Sequence, residues 1–183
     1  FRHFLLDQGF GIAEAMDTSQ RGMGLDWPLA HELIGRSLKS AGRQASRIFS
    51  GCGTDHLPPV EARSVDDVVR AYLEQLHAIQ KLGGRVILMA SRALVRVAKS
   101  PDDYVKVYGR VLNEAEKPVI LHWLGEMFDP ALKGYWGAED FSATARNCLA
   151  VISNNSAKID GIKISLLDAE KEIIFRRQLP ANV

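Results

Sequence analysis

One pattern constrains this chain more than any other: short apolar, β-branched runs alternate strictly with amphipathic stretches. The runs fall at residues 10–16, 47–52, 86–90, 118–123 and 160–165. Between them the apolar residues recur at helical spacing, as in Val65, Val68, Val69, Tyr72, Leu76 and Ile79, or Tyr104, Val107, Tyr108, Val111 and Leu112. Start and stop signals frame these stretches. Asp26 precedes a helix with Pro28 in its first turn, and Ser64 with Asp67 makes a capping box. Ser100-Pro101-Asp102-Asp103 supplies cap, proline and first-turn acids, and Gly83-Gly84 closes a helix. Five strands, each followed by a helix, predict an α/β fold with a parallel sheet. Near-continuous apolar strands predict a sheet covered on both faces. A doubly wound open sheet and a (β/α) barrel both satisfy this pattern. No repeat longer than the βα unit and no low-complexity linker divides residues 1–183, which read as one domain.

Composition narrows function by exclusion. With 46% hydrophobic and 25% charged residues the chain is of ordinary globular type. A net charge of +1 gives no field for nucleic acid or anionic membrane. Cys52 and Cys148 lie far apart and form neither a metal motif nor a disulfide framework, so a reducing, cytoplasmic setting is expected. No apolar run approaches the ~20 residues of a membrane span. The chain opens at Phe1 and stops at Val183, shortly after a proline that reads as the lead-in to another element; both ends are expected to continue.

In either architecture the active site lies at the carboxyl ends of the strands. Polar residues collect at all five of those ends. They are Glu14, Asp17, Thr18, Ser19 and Arg21; Gly53, Thr54, Asp55 and His56; Ser91 and Arg92; His122 and Glu126; and Lys163, Ser165 and Asp168. Lys163 stands out because it interrupts an apolar strand. A buried lysine must be paired or lose its proton, and a neutral lysine is a nucleophile toward carbonyls. Asp17, Asp55, His56 and His122 offer a second chemistry, a divalent metal site. The turns Gly51-Cys-Gly53 and Gly22-Met-Gly24 complete no phosphate-binding fingerprint.

Gly161-Ile-Lys-Ile-Ser-Leu-Leu-Asp168 resembles the sixth-strand motif of the dihydrodipicolinate synthase and N-acetylneuraminate lyase family. That family consists of (β/α)8 barrels acting as class I aldolases through a Schiff-base lysine, and Lys163 falls on that lysine. Asp17-Thr18-Ser19-Gln20-Arg21 resembles the loop after the second strand, which holds a substrate carboxylate and relays protons through two hydroxyl positions. Ser50-Gly-Cys-Gly-Thr-Asp55 resembles the third-strand turn, and Pro118-Val-Ile-Leu-His122 the fifth strand. More narrowly, Glu14-Ala-Met-Asp-Thr-Ser-Gln-Arg-Gly22 with His122-Trp-Leu-Gly125 is similar to a bacterial dihydrodipicolinate-synthase-like subgroup. There are departures. His122 stands where the family has its acid/base tyrosine, Gly125-Glu126-Met127 replaces an arginine that binds a second carboxyl group, and Ala93-Leu94 replaces an aromatic pair.

The resemblance implies an incomplete TIM (β/α)8 barrel of about five βα units, holding the second to sixth strands. It also implies that a barrel of about 250 residues would need further segments at both ends. It implies a lyase that forms a Schiff base with a 2-oxo acid or related small carbonyl compound and needs no cofactor beyond the lysine imine. On that reading Lys163, His122 and Thr18 are catalytic. Thr18, Ser19, Asp17, Gly53, Asp55, Arg92 and Ser165 bind substrate, Arg21 is a weaker candidate for anion binding and otherwise a solvated rim residue, and desolvation in a buried strand keeps Lys163 reactive. The expected partners are the small-molecule carbonyl substrate and further copies of the chain in a homo-oligomer, with no nucleic acid and no membrane. The alternatives are a divalent-metal-dependent barrel lyase or isomerase, and a non-catalytic ligand-binding barrel.

Overall fold

The computed structural model describes residues 1–18 and 20–183. Five parallel strands pair in sequence order: β1 (Ile12–Glu14), β2 (Ile48–Cys52), β3 (Arg85–Leu88), β4 (Val119–Leu124) and β5 (Ile159–Ser165). This order decides between the two architectures. A doubly wound sheet reverses its strand order at a switch point. Here each strand is added beside the previous one, and right-handed crossovers then put every helix on the same face. The result is half of a (β/α) barrel, with a helical outer layer and a concave inner face.

The helices form where caps and periodicity place them. They are α1 (Arg2–Asp7), α2 (Trp27–Ala41), α3 (Val65–Lys81), α4 (Arg92–Val97), α5 (Pro101–Asn113), α6 (Phe141–Asn154) and α7 (Ala169–Arg176). Asp26 accepts the Leu29 N–H, and the Ser64–Asp67 box is closed in both directions. The four-residue Ser100–Asp103 box repeats that arrangement at α5. The short α4 departs from expectation. Ser91 lies in the loop after β3, as expected, and there it also caps this helix through the Leu94 N–H.

The main core lies between sheet and helices, joining Ile48, Leu88, Val119 and Leu121 to Tyr72, Leu76, Ile79, Val107 and Val111. The segment between β4 and α6 contributes Tyr135 and Trp136, which stack among Tyr104, Tyr108 and Trp123. A second, smaller cluster of Met16, Ile87 and Met89, with Phe49 and Ile120 against it, fills the concave face. The alternation of strand residues between these clusters puts His122 on the concave side with Ile120, and its register partner Lys163 beside it.

Two predicted placements change. Glu14 was expected at the mouth, yet its carboxylate turns outward, accepting from Ser37 Oγ at 2.8 Å and pairing with Arg2 at 2.6 Å. β1 spans only three residues, so Glu14 is still in regular strand and its parity takes it to the helical side. The Lys163 strand was expected to be buried. Among the described residues it lies at the edge of the sheet, paired with β4, and Lys163 is exposed.

Candidate active site

Two groups of side chains meet at the carboxyl ends of the strands, and Asp17 belongs to both. The first is a chain of three ionisable residues. Lys163 Nζ lies 2.8 Å from His122 Nε2 and 2.9 Å from Ser165 Oγ. The other ring nitrogen, Nδ1, lies 2.8 Å from Asp17 Oδ2. His122 is 0% exposed, so its ring cannot rotate out to water. The Asp17–His122 contact is within ion-pair range without meeting hydrogen-bond geometry, and it becomes a charge pair when the ring is protonated. Among the described residues, Asp17 Oδ2 and His122 Nδ1 have no hydrogen-bond partner. An ammonium at Lys163 donates to Nε2, which fixes the ring proton on Nδ1 facing the carboxylate.

The electrostatics follow from this geometry. Burial raises the Asp17 pKa, but the His122 ring, the Thr18 N–H and the Lys163 charge outweigh it and hold the carboxyl below the usual range. Burial also lowers the Lys163 pKa, and the Asp17 charge partly opposes that. The lysine is thus easier to deprotonate than a free one even at an exposed edge, because half of its surroundings are the His122 ring and the strand.

Local structure explains why these groups meet. Ala15 adopts a left-handed φ of 53° directly after β1, which turns the chain so that Met16 and Asp17 face inward. Gly51 makes this turn possible, since a Cβ there would run into the Ala15 carbonyl oxygen and lie 2.9 Å from Met89 Sδ. Gln20 closes the loop by accepting the Met16 N–H at 2.9 Å. On the other side Gly125 lets β4 approach β5 closely, donating to the Ser165 carbonyl at 2.8 Å.

The second group lines a cavity of about 240 Å³ above β1–β4. Asp17 and Leu124 connect it to the lysine side; Thr18, Gly53, Thr54, Asp55 and Arg92 contribute polar surface, and Met89, Phe128 and Leu132 apolar surface. Lys163 and His122 do not line it, so the cavity lies beside the lysine rather than around it.

Several candidates take roles other than those expected. Arg21 is no rim residue but a buried clamp. Its Nε donates to Asp55 Oδ2 at 3.0 Å, Nη1 to the Gly51 carbonyl at 2.8 Å, and Nη2 to Gln75 Oε1 at 2.8 Å and to Asp55 Oδ1. Asp55 is therefore engaged before any ligand arrives. The Gly53 N–H donates to Gln75 Oε1 at 2.8 Å, and Gln75 Nε2 donates to His56 Nδ1 at 2.7 Å. His56 then pairs with Glu74, away from His122. Asp17, Asp55, His56 and His122 accordingly do not converge, and among the described residues no three His, Cys, Asp or Glu side chains are gathered to hold a metal. Arg92 pairs with Asp129 at 2.6 Å at the rim. Thr18 is exposed and lines the cavity, but its N–H is already given to Asp17 Oδ1 at 2.9 Å. Ser19 lies outside the described residues.

Three contributors were not singled out from sequence. Gln75 is 0% exposed and organises the β2 end of the cavity. Its signal was present: it falls on the apolar stripe of α3, three residues after Tyr72 and four before Ile79. Asp129 and Tyr135 carried none, since only the fold brings Asp129 to Arg92 and the Tyr135 hydroxyl to the Ser91 N–H.

The sequential parallel sheet with polar strand ends defines a (β/α)-barrel protein, represented here by a half-barrel. Over residues 1–183 the chain matches the family described as "Protein of unknown function (DUF993)", and it belongs to that family. Its fold is similar to the crystal structure of dihydrodipicolinate synthase from Oceanobacillus iheyensis, with a TM-score of 0.58 and 16% sequence identity. The match covers 97% of this chain and 48% of that one, so the chain spans about half the length of that enzyme. No curated protein matches the sequence.

Proposed function

We propose that the protein is a Schiff-base-forming lyase or aldolase acting on a 2-oxo acid or related small carbonyl compound, with Lys163 as the nucleophile. The observation that carries this reading is the Asp17–His122–Lys163 chain. Nucleophile, base and orienting carboxylate stand in hydrogen-bond or ion-pair reach of one another, the arrangement that activates nucleophiles generally. The barrel fold and the Lys163 strand motif support it independently.

In this mechanism His122 takes a proton from the Lys163 ammonium, and Asp17 stabilises the imidazolium that results. The free amine adds to the substrate carbonyl carbon, the C=O π pair moves to oxygen, and the proton shed by the now cationic nitrogen passes to that oxygen to give the neutral carbinolamine. The carbinolamine then expels water as His122 returns its proton, leaving an iminium ion. That ion accepts the electron pair of the bond between the α and β carbons of the bound substrate as it breaks, which gives an enamine. The departing fragment leaves as an aldehyde when its hydroxyl proton passes to a base, and the enamine is protonated on carbon and hydrolysed by water. Condensation is the same sequence reversed. Ser165, hydrogen-bonded to both Lys163 and His122, holds the amine toward the ring.

The test is reductive trapping. Borohydride added with pyruvate should leave a carboxyethyl group on the Lys163 peptide by mass spectrometry, and Lys163→Ala should abolish the adduct. An unmodified Lys163 across a broad panel of aldehydes, ketones and 2-oxo acids would refute the assignment.

A further inference from the structure

Resting on the imine reading of Lys163, we infer that the cavity beside it selects carbonyl substrates whose second arm is uncharged, and rejects those carrying a second carboxylate. A substrate held at Lys163 extends past Asp17, because Asp17 is the one ionisable residue shared by the lysine chain and the cavity wall. Among the described residues, the two cations lining the cavity are already engaged. The Arg21 guanidinium spends Nε, Nη1 and Nη2 on Asp55, Gly51 and Gln75, and is 8% exposed. Arg92 is neutralised by Asp129. The lining thus carries three carboxylates, Asp17, Asp55 and Asp129, against these two arginines. The Thr18 amide, a natural carboxylate receptor, already serves Asp17.

The remaining wall is mostly apolar, with Leu57, Met89, Phe128 and Leu132, and adds the Thr18 hydroxyl and Thr54, whose hydroxyl is bonded to Ser91. At about 240 Å³ the cavity falls below the ~300–1,000 Å³ typical of drug-sized ligands and suits a short aliphatic or hydroxylated arm. A carboxylate there would be desolvated beside Asp17, Asp55 and Asp129, whose cationic partners are already engaged, a juxtaposition that weakens binding.

Two 2-oxo acids of matching shape separate the possibilities. 2-Oxoglutarate ends in a carboxylate, and 5-methyl-2-oxohexanoate ends in an isopropyl group of similar outline. Initial rates of cyanoborohydride trapping on Lys163 in the full protein should favour the isopropyl compound roughly tenfold or more, the scale expected of a like-charge penalty. Asp129→Asn keeps the oxygen that accepts the Ala131 N–H while releasing the charge of Arg92, and should narrow that preference. Equal or faster trapping of 2-oxoglutarate would overturn the inference, as would a preference untouched by Asp129→Asn. Pyruvate is the reference probe. If it too leaves no adduct, the imine reading itself has failed, whereas a pyruvate adduct without discrimination condemns only the cavity assignment.

Discussion

Asp17→Asn probes the lysine chain most directly. Asparagine keeps the size of the side chain and the oxygen that accepts the Thr18 N–H, but removes the charge 2.8 Å from the His122 ring. Scaled from about 4 kcal/mol at 4 Å in an effective dielectric of 20, an imidazolium–carboxylate pair at this distance is worth about 6 kcal/mol before desolvation is counted. Breaking a buried pair costs about 3–5 kcal/mol in measured cases, which is the better guide here because His122 has no exposure at all. At 1.36 kcal/mol per decade this corresponds to a loss of roughly 10²–10⁴-fold in the step that needs the imidazolium. The amide also offers an N–H toward Nδ1, which pushes the ring proton to Nε2 and turns a donor toward the lysine. The assay is single-turnover trapping with pyruvate and cyanoborohydride, read by intact mass, with circular dichroism to confirm the fold. A variant that folds normally and traps within a few-fold of the parent rate, on the same pH profile, would refute the claim that Asp17 works through His122.

The other expectations are simpler to state. The pH dependence of trapping should show a midpoint below 10.5, since burial lowers the Lys163 pKa and Asp17 only partly opposes it; a midpoint at or above that value contradicts the geometry. Asp17 has a folded pKa below its unfolded one, so its contribution is complete above about pH 4 and is lost as pH falls through the folded value. Melting temperature followed from pH 5 to pH 2 should therefore fall less steeply in Asp17→Asn than in the parent. Arg21→Gln should destabilise the fold by about 3 kcal/mol, the lower end for a broken buried pair because Asp55 retains some solvent, measured by denaturant midpoint. Tyr72→Phe removes a 2.5 Å hydrogen bond to the Met89 carbonyl and should cost about 1–3 kcal/mol, with little effect on trapping.

Much of this architecture was readable before any coordinates. Ser64, Asp26 and Ser100 each cap the helix their spacing announces, because capping is a local interaction between a side chain and N–H groups three residues on. Strand order was not readable: a run such as residues 86–90 carries no mark of its neighbours, and only the sequential pairing separates a half-barrel from a doubly wound sheet. The site divides in the same way. Lys163, His122, Ser165 and Asp17 do come together, since strand ends of one parallel sheet must share a rim. Whether a charged residue at that rim is free or spoken for depends on long-range partners. Arg21 and Asp55 neutralise each other across 34 positions of sequence, and Gln75, 54 positions from Arg21, completes the clamp. Parity misled at Glu14, where a strand ending two residues before the end of the apolar run 10–16 left the carboxylate on the far side.

The edge position of β5 has a consequence for the lysine it carries. An amine half-surrounded by protein and half by water has a proton affinity set by whichever neighbour occupies its open flank. Apolar matter laid along β5 would strip the remaining water and drive Lys163 further toward the neutral amine; a polar or wet flank would hold it as the ammonium. Lys163 is therefore a built-in gauge of its own enclosure, and its titration midpoint would record how completely the strand is covered without any need to see what covers it.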